Sequence, residues 1–394
     1  MARSKTRARA HAAATKIPKT LEERLTETLI ALAEIPSVSG QEDAVRSWVD
    51  EQVREQGLLS NTDNAGNLIV RVPAHPLTRD AEPPILLNAH MDRVPPGLAH
   101  HPILADSILR SDGTTNLGAD DSAGIAVVLH TVDELRTRTL DHPPLLLLFT
   151  VGEEVGLIGA KAFDPAPWGA REGIVFDNAG EAGVVVTRAA TYVAFDVLLR
   201  GSGGHPGKRL EGITSAIEIF HQAAYPVGIL DGDTSRISIG RVEGGSARNA
   251  VPRELRALGE ARTLLEDRER ERLMAEIAAA FEDAANALGG EATVTFDPHC
   301  DGYSVDEREP LLHAWMQAQK ALGITPQMIT TFIGSDASAL RAHTRVFTVS
   351  TGAMDEHTAE EWIAIPPLVT LVETALALLS SYHTDAPHAP SGLA

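Results

Sequence analysis

Hydrophobic positions along the chain follow two different periods. Leucine recurs every three or four residues at positions 21, 25, 29 and 32, which is the spacing of a helix with one buried face. Short, continuous apolar runs such as 145–151 have the length of buried strands instead. Strands are predicted at 67–72, 85–89, 145–151 and 174–176, and helices from near Leu21, at 39–56 and at 123–135. Ser39 is expected to cap the second helix, with Glu42 as its capping-box partner.

This alternation of strands and helices predicts an α/β domain with a largely parallel sheet. After about residue 186 the pattern changes. Strands are predicted at 193–199, 236–242, 255–262 and 292–296, with helices at 213–224 and 267–288. The order β-α-β-β-α-β is that of a ferredoxin-like module. The first pattern then resumes with a helix at 311–322, a strand at 346–350 and a helix at 368–379.

We therefore expect two folded domains. The principal α/β domain comprises 21–186 and 298–384, and an inserted α+β domain, called the lid below, comprises 187–297. Residues 1–20 carry six basic side chains and no acidic one, and they are expected to form a disordered basic tail. An organellar transit peptide is the alternative for this segment. Residues 385–394 are expected to form a loose tail.

Charge and cysteine content exclude several classes of function. The chain has 34 basic and 54 acidic residues, a formal charge of −20, which disfavours binding to nucleic acid or to an anionic membrane. No apolar run reaches the length of about 20 residues that a membrane span needs. The single cysteine, Cys300, cannot form an internal disulfide or a thiolate zinc site. A cytoplasmic location without nucleic-acid or membrane partners is the expectation.

Acidic and histidine residues follow the predicted strands. They are His90, Asp92, Asp120, Asp121, Glu153, Glu154, Asp177 and His357. Ligands of open α/β sheets gather beyond the carboxyl ends of the strands, so these groups should converge on one rim. Imidazoles and carboxylates suit Zn²⁺, Co²⁺ or Mn²⁺, and one carboxylate can bridge two ions. Each motif alone is also compatible with a solvated loop or a helix cap; their common position favours a metal site.

Four motifs together resemble the co-catalytic zinc exopeptidases, the superfamily that includes peptidase T and related amidohydrolases. They are His-Met-Asp-Arg-Val-Pro-Pro-Gly, Gly-Ala-Asp-Asp-Ser-Ala-Gly, Gly-Glu-Glu-Val-Gly-Leu-Ile-Gly-Ala and His-Thr-Ala-Glu-Glu. The similarity extends from about Leu21 to His383. It implies a parallel-sheet catalytic domain with an inserted lid that also serves dimerisation, and two divalent metal ions, most often zinc.

The resemblance also assigns roles to individual residues. His90 and Asp177 would complete one metal site, Glu154 and His357 the other, and Asp120 would bridge both. The peptide bond after Asp120 is often cis in this superfamily. Asp92 would orient His90, and Glu153 would be the general base.

Three further stretches resemble substrate-binding motifs. His205, in Gly-Gly-His-Pro-Gly at 203–207, would stabilise the oxyanion, and in dimeric members it comes from the other subunit. Asn249, within 244–252, would hold the substrate, and Asp336 would belong to a substrate-pocket loop. Ser122 stands where peptidase T-like members usually carry Lys, and His205 is followed by Pro where Ala is commoner.

The expected function is hydrolysis of amide bonds in short peptides, with an aminopeptidase of peptidase T type as the nearest branch. A carboxypeptidase, a dipeptidase or an N-acyl amino acid deacylase remains an alternative on the same scaffold. A binding protein without catalysis is a third reading. The lid could also serve dimerisation alone. The expected assembly is a homodimer through the lid.

Overall fold

The computed structural model describes residues 19–208 and 211–383. The first part forms α1 (Leu21–Ala33), α2 (Asp43–Glu55), β1 (Ser60–Thr62), β2 (Leu68–Val72), β3 (Ile85–His90), β4 (Ile103–Ala105), β5 (Ile108–Arg110), α3 (Ala119–Thr137), β6 (Leu145–Thr150), α4 (Ile158–Ala162), β7 (Glu172–Phe176) and β8 (Val185–Ala189). The lid forms β9 (Thr191–Arg200), α5 (Ala216–Gln222), β10 (Gly228–Leu230), β11 (Ser235–Gly244), β12 (Glu254–Thr263), α6 (Asp267–Leu288) and β13 (Glu291–Cys300). The last part forms β14 (Tyr303–Ser304), α7 (Pro310–Ala321), β15 (Met328–Thr331), α8 (Asp336–Leu340), β16 (Arg345–Val349), β17 (Ala353–Met354), β18 (Trp362–Ala364) and α9 (Ile365–Ser381). Single 3₁₀ turns lie at Leu77–Arg79 and Ala166–Trp168.

The principal domain is built on a nine-stranded sheet with the order β1-β2-β6-β3-β7-β16-β8-β14, in which β15 also pairs with β8. Its centre, β6-β3-β7-β16, is parallel, and the pairs β1-β2, β2-β6, β16-β8 and β8-β14 are antiparallel. The expected α/β class with a largely parallel sheet is therefore confirmed. A second sheet, β17-β18-β5-β4, has four strands.

The central strands are apolar throughout because the sheet is covered on both faces. Along β6, Leu145 and Leu147 pack into the core that contains α1, α3, α7 and α9. Leu146 and Leu148 pack into the core on the other face, beside α4 and α8. The apolar run therefore marks a strand between two layers, and its carboxyl end opens onto the rim.

The lid contains an antiparallel sheet with the order β10-β11-β12-β9-β13. Without the short β10, which the sequence pattern does not predict, this is the strand order of a ferredoxin-like module. Phe195 of β9 and Phe281 of α6 lie in a separate lid core. The lid sheet runs from Thr191 to Cys300, because β8 pairs with strands of the principal sheet. The changeovers thus lie a few residues beyond the expected positions 186 and 297.

Two helix starts differ from the prediction. α2 begins at Asp43, with Glu42 at its N-cap and no side-chain cap, so the expected Ser39 cap is wrong. α3 begins at Ala119, before the expected 123, although Asp120 and Asp121 have non-helical backbone angles. Both expected starts lie beside the rim. There the side chains of Ser39 and Asp121 form hydrogen bonds with residues of the rim, such as Asp92 and His90. Within 19–208 and 211–383, no helix is long and apolar enough to cross a membrane. The expected tails lie largely outside these residues.

Candidate metal site

The carboxyl ends of the central strands bring the predicted ligands together. His90 is the last residue of β3, Asp120 lies at the start of α3, and Glu154 follows β6. Ligand atoms of His90, Asp120 and Glu154 all lie within 4.8 Å of one another. The three side chains are therefore close enough to take part in one metal centre.

Asp120 occupies the centre of the cluster. Its Oδ1 lies 3.2 Å from Nε2 of His90, and its Oδ2 lies 3.2 Å from Nε2 of His357. The same nitrogen of His357 is 2.9 Å from Oε1 of Glu154. Each oxygen of Asp120 therefore faces a different imidazole, which is the arrangement that a carboxylate bridging two ions requires. The peptide bond between Asp120 and Asp121 is cis, as the resemblance implies.

The donor set fits divalent metal ions. Oε1 of Glu154 and Oδ2 of Asp120 both face Nε2 of His357, at 2.9 and 3.2 Å, and this nitrogen can donate a single hydrogen. Hydrogen bonds to Asp120 and Glu154 raise the pKa of His357 to about 10, so these carboxylates favour positive charge there. Burial and the charge of Asp120 raise the pKa of Asp177 to about 7. A cation among these groups would offset the negative charge of the carboxylates that are crowded together here.

Asp92 connects His90 to the loop that carries both glutamates. Its backbone carbonyl lies 3.0 Å from Nδ1 of His90, and its Oδ1 lies 3.4 Å from the same nitrogen. The carboxylate accepts hydrogen bonds from the backbone N–H groups of Glu153 (3.0 Å) and Glu154 (3.2 Å). Oγ of Ser39 donates to it as well, at 2.6 Å. Ser39 therefore supports Asp92 and is not available as a helix cap.

Asp121 has a positioning role that the sequence pattern does not reveal. Its two oxygens accept hydrogen bonds from the backbone N–H of His90 (3.1 Å) and of Gly124 (3.0 Å). Burial raises the pKa of the Asp121 carboxyl well above its ordinary value. A Cβ at Gly124 would lie 2.3 Å from the carbonyl oxygen of Phe176, so only glycine permits this close packing. The second aspartate thus fixes the first turn of α3 against β3.

Glu361 is a second positioning residue that sequence reasoning missed. It is 1% exposed and accepts hydrogen bonds from the backbone N–H groups of Gly118 (2.8 Å) and Asp120 (3.1 Å). Burial raises its pKa to about 7. The nearby Arg93 guanidinium is also buried. The sequence signal that could have identified Glu361 is its position as the second glutamate of His-Thr-Ala-Glu-Glu, which begins with the predicted ligand His357.

Glu153 precedes the candidate ligand Glu154 and is half-buried. Burial and the charge of Asp177 raise the pKa of Glu153 well above its ordinary value. A carboxyl in this environment can accept a proton near neutral pH, which is the property that a general base needs.

The structure does not bring the predicted substrate residues into this cluster. His205 and Asn249 are exposed on the lid, and no hydrogen bond or ion pair connects them to the ligands within 19–208 and 211–383. Their loops lie together through a bridge between Gly204 and Val251. Asp336 is 1% exposed; Thr150 and Asn88 donate to its Oδ2, the latter at 3.3 Å. This buried carboxyl supports the strand ends and presents no surface to a substrate.

The site contains imidazoles and carboxylates around a central aspartate. A further glutamate, Glu153, lies beside them and can act as a base. This combination is typical of a metal-dependent hydrolase. The family model described as Peptidase family M20/M25/M40 matches residues 86–381. The chain therefore belongs to this peptidase family.

Several individual proteins are similar to this chain over nearly its whole length. An aminopeptidase PepT structure from Bacillus cereus is 30% identical with a TM-score of 0.84, covering 91% of this chain and 98% of that one. A tripeptidase structure from Staphylococcus aureus is 29% identical with a TM-score of 0.86 and the same coverage. The uncharacterized protein YqjE of Bacillus subtilis is 31% identical over 369 residues, 91% of this chain and 98% of its own length.

Proposed function

We propose that this peptidase is a metal-dependent aminopeptidase that releases the N-terminal residue from short peptides. The observation that carries the proposal is the position of Asp120, with one oxygen towards His90 and the other towards His357. Similarity over nearly the whole length to a structure titled an aminopeptidase and to one titled a tripeptidase supports this branch.

Two divalent ions are part of the proposal. His90 and Asp177 would hold one ion, Glu154 and His357 the other, and Asp120 would contribute one oxygen to each. Zn²⁺ is the first choice for this set of imidazoles and carboxylates, with Co²⁺ and Mn²⁺ as alternatives. Bound ions would polarise the scissile carbonyl and lower the pKa of the attacking water.

The chain's own residues perform the remaining steps. Asp92 orients His90 through Nδ1, and Glu361 and Asp121 fix the backbone on both sides of Asp120. The Glu153 carboxylate removes a proton from the attacking water and then delivers a proton to the nitrogen of the leaving amine. His205 donates a hydrogen bond to the oxygen that becomes negatively charged in the transition state.

The lid completes the site in this proposal. Asn249 would hold the substrate beside His205, and the bridge between Gly204 and Val251 keeps these two loops together. A homodimer through the lid would bring His205 from the partner subunit. The edge strand β10 supports this assembly, because Ile229 is 70% exposed there and an open edge can pair with another copy. A cytoplasmic location is part of the same proposal.

A substrate panel tests the proposed specificity. Zinc-reconstituted protein and a chelated control are incubated with free tripeptides, N-blocked peptides and N-acyl amino acids. Metal-dependent release of the N-terminal residue from free tripeptides alone is the expected result. Turnover of only blocked or acylated substrates would overturn the aminopeptidase assignment in favour of a carboxypeptidase or deacylase. Relatives named probable carboxypeptidases, 26% identical over 359 residues, make this comparison necessary.

A further inference from the structure

Two large apolar side chains are exposed on the loop that carries both glutamates of the candidate site. Val155 directly follows Glu154 and is 57% exposed, and Ile158, the first residue of α4, is 51% exposed. The carbonyl oxygen of Glu153 accepts a hydrogen bond from the backbone N–H of Gly156 at 3.0 Å. This bond closes a tight turn over residues 153–156, so Val155 is held beside the two glutamates.

Ile158 is fixed on the other side of the same turn. Its backbone N–H donates to the carbonyl oxygen of Gly152 at 3.0 Å. A Cβ at Gly152 would lie only 3.1 Å from Cβ of Ile158. Because Gly152 directly precedes Glu153, Ile158 lies against the backbone that leads into the proposed base.

A second loop brings another exposed apolar side chain to the same part of the rim. Ile333 is 54% exposed and lies three residues before Asp336, the first residue of α8. Asp336 accepts a hydrogen bond from Thr150, the last residue of β6, after which the glutamate loop begins. Three residues span at most about 11 Å, so Ile333 stays near this anchor. The helices that follow the two loops, α4 and α8, pack together in one core.

The two loops present few charges to solvent. Between positions 151 and 160 the only charged side chains are Glu153 and Glu154, and there is none between 331 and 335. Polar side chains are comfortable in water, whereas large apolar ones that stay exposed beside a reactive site are typical of a surface that a ligand covers. Three such side chains around one pair of glutamates therefore indicate an apolar group on the substrate.

We propose that Val155, Ile158 and Ile333 form an apolar wall that receives a substrate side chain next to the scissile bond. The preferred substrates are short peptides with an apolar residue, such as leucine, at one of the two positions that this bond joins. The inference rests on the proposed hydrolytic function, because proximity to Glu153 and Glu154 identifies the occupant of the wall.

Calorimetric titration of zinc-loaded Glu153→Gln protein tests the wall, because this variant lacks the proposed base and should bind peptides without cleaving them during the titration. The ligands are Leu-Gly-Gly and Gly-Leu-Gly, each paired with the peptide in which asparagine replaces leucine. Asparagine has a similar shape and a polar end, so each pair separates polarity from size. We expect leucine to be favoured by about tenfold or more at one of the two positions.

Further substitutions in the same Glu153→Gln protein locate the contact. Val155→Thr, Ile158→Asn and Ile333→Asn should each lower the ratio of leucine to asparagine affinity by about threefold or more. Leu59→Asn is the matched control and should leave this ratio unchanged. Leu59 is 82% exposed, but it precedes β1, which β2 separates from β6. Circular dichroism and zinc content confirm that each variant is folded and loaded.

Equal affinity for the leucine and asparagine peptides at both positions would overturn the proposal. An undiminished ratio in all three wall variants, or no binding of any peptide at millimolar concentration, would also overturn it. Hydrolysis of the same peptides by the wild type is measured separately. Absence of cleavage with a preserved preference for leucine would contradict only the proposed function, whereas cleavage without that preference would contradict only the apolar wall.

Discussion

Replacing Glu361 with glutamine tests whether a buried carboxylate positions the bridging aspartate. The wild-type side chain accepts two backbone hydrogen bonds, from Gly118 at 2.8 Å and from Asp120 at 3.1 Å. Glutamine has one side-chain oxygen, so one of these N–H groups would face an amide NH₂. The substitution also removes negative charge near the buried guanidinium of Arg93.

The expected changes in the free energy of unfolding and in zinc affinity follow from these contacts. A hydrogen bond to a charged group contributes about 1.5–3 kcal/mol, and the glutamine variant loses one such bond and weakens the other. Because burial disfavours the charge that the substitution removes, we expect the net fall in the free energy of unfolding to stay below about 1 kcal/mol. Because Asp120 would be less well oriented, zinc affinity should fall by about 10- to 100-fold, as is typical when a residue supporting a ligand is lost.

Urea denaturation and zinc competition against a chromophoric chelator measure the two quantities. Both are performed at pH 8, because burial raises the pKa of Glu361 to about 7 and its carboxyl should be ionised. Glu360→Gln is the matched control: Glu360 is exposed, and we expect a change within about 0.5 kcal/mol. Wild-type stability together with wild-type zinc affinity in Glu361→Gln would refute the positioning role.

Three further predictions concern the base, the lid and a remote histidine. Glu153→Gln should retain its metal and lower kcat by about 10²- to 10⁴-fold; unchanged turnover would exclude Glu153 as the base. His205→Ala should lower kcat by about 10²- to 10³-fold without changing metal content; full activity would indicate that the lid serves only dimerisation. The pKa of His130 falls from 6.5 to about 4 on burial beside Arg24, so the folded protein binds fewer protons there than the unfolded chain. As the pH is lowered from 6.5 to 4, the free energy of unfolding of the wild type should therefore fall by up to about 1.4 kcal/mol per pH unit. The His130→Gln variant should lack this contribution in the same denaturation experiment. An identical pH profile for the two proteins would contradict the shift.

Local patterns predicted the long central strands and helices of both domains. β6 lies at the apolar run of Leu145 and its successors, because a strand buried on both faces needs apolar residues at every position. Helix α6 matches the expected range, since its apolar stripe and its terminal Gly289 are both local signals. Short strands such as β4, β5 and β10 were missed, because three residues between turns carry too little periodicity to be recognised.

The candidate ligands could be predicted because they follow strands or begin a helix at the same rim, whereas the residues that contact them could not. Ser39 has the local signature of a helix cap, but its hydroxyl donates to Asp92, 53 positions away in sequence. Glu361 resembles a surface glutamate in the sequence, but its carboxylate is buried against a backbone segment 241 positions distant. In both cases a tertiary contact overrides the local preference, and no local pattern encodes that contact.

The most direct test of the central claim is the rate of N-terminal residue release from a free tripeptide as chelator-treated protein is titrated with Zn²⁺. The account predicts no turnover without metal and a maximum at two equivalents per chain, with Asp120 shared between two ions. Full turnover without metal, or a maximum at one equivalent, would contradict it.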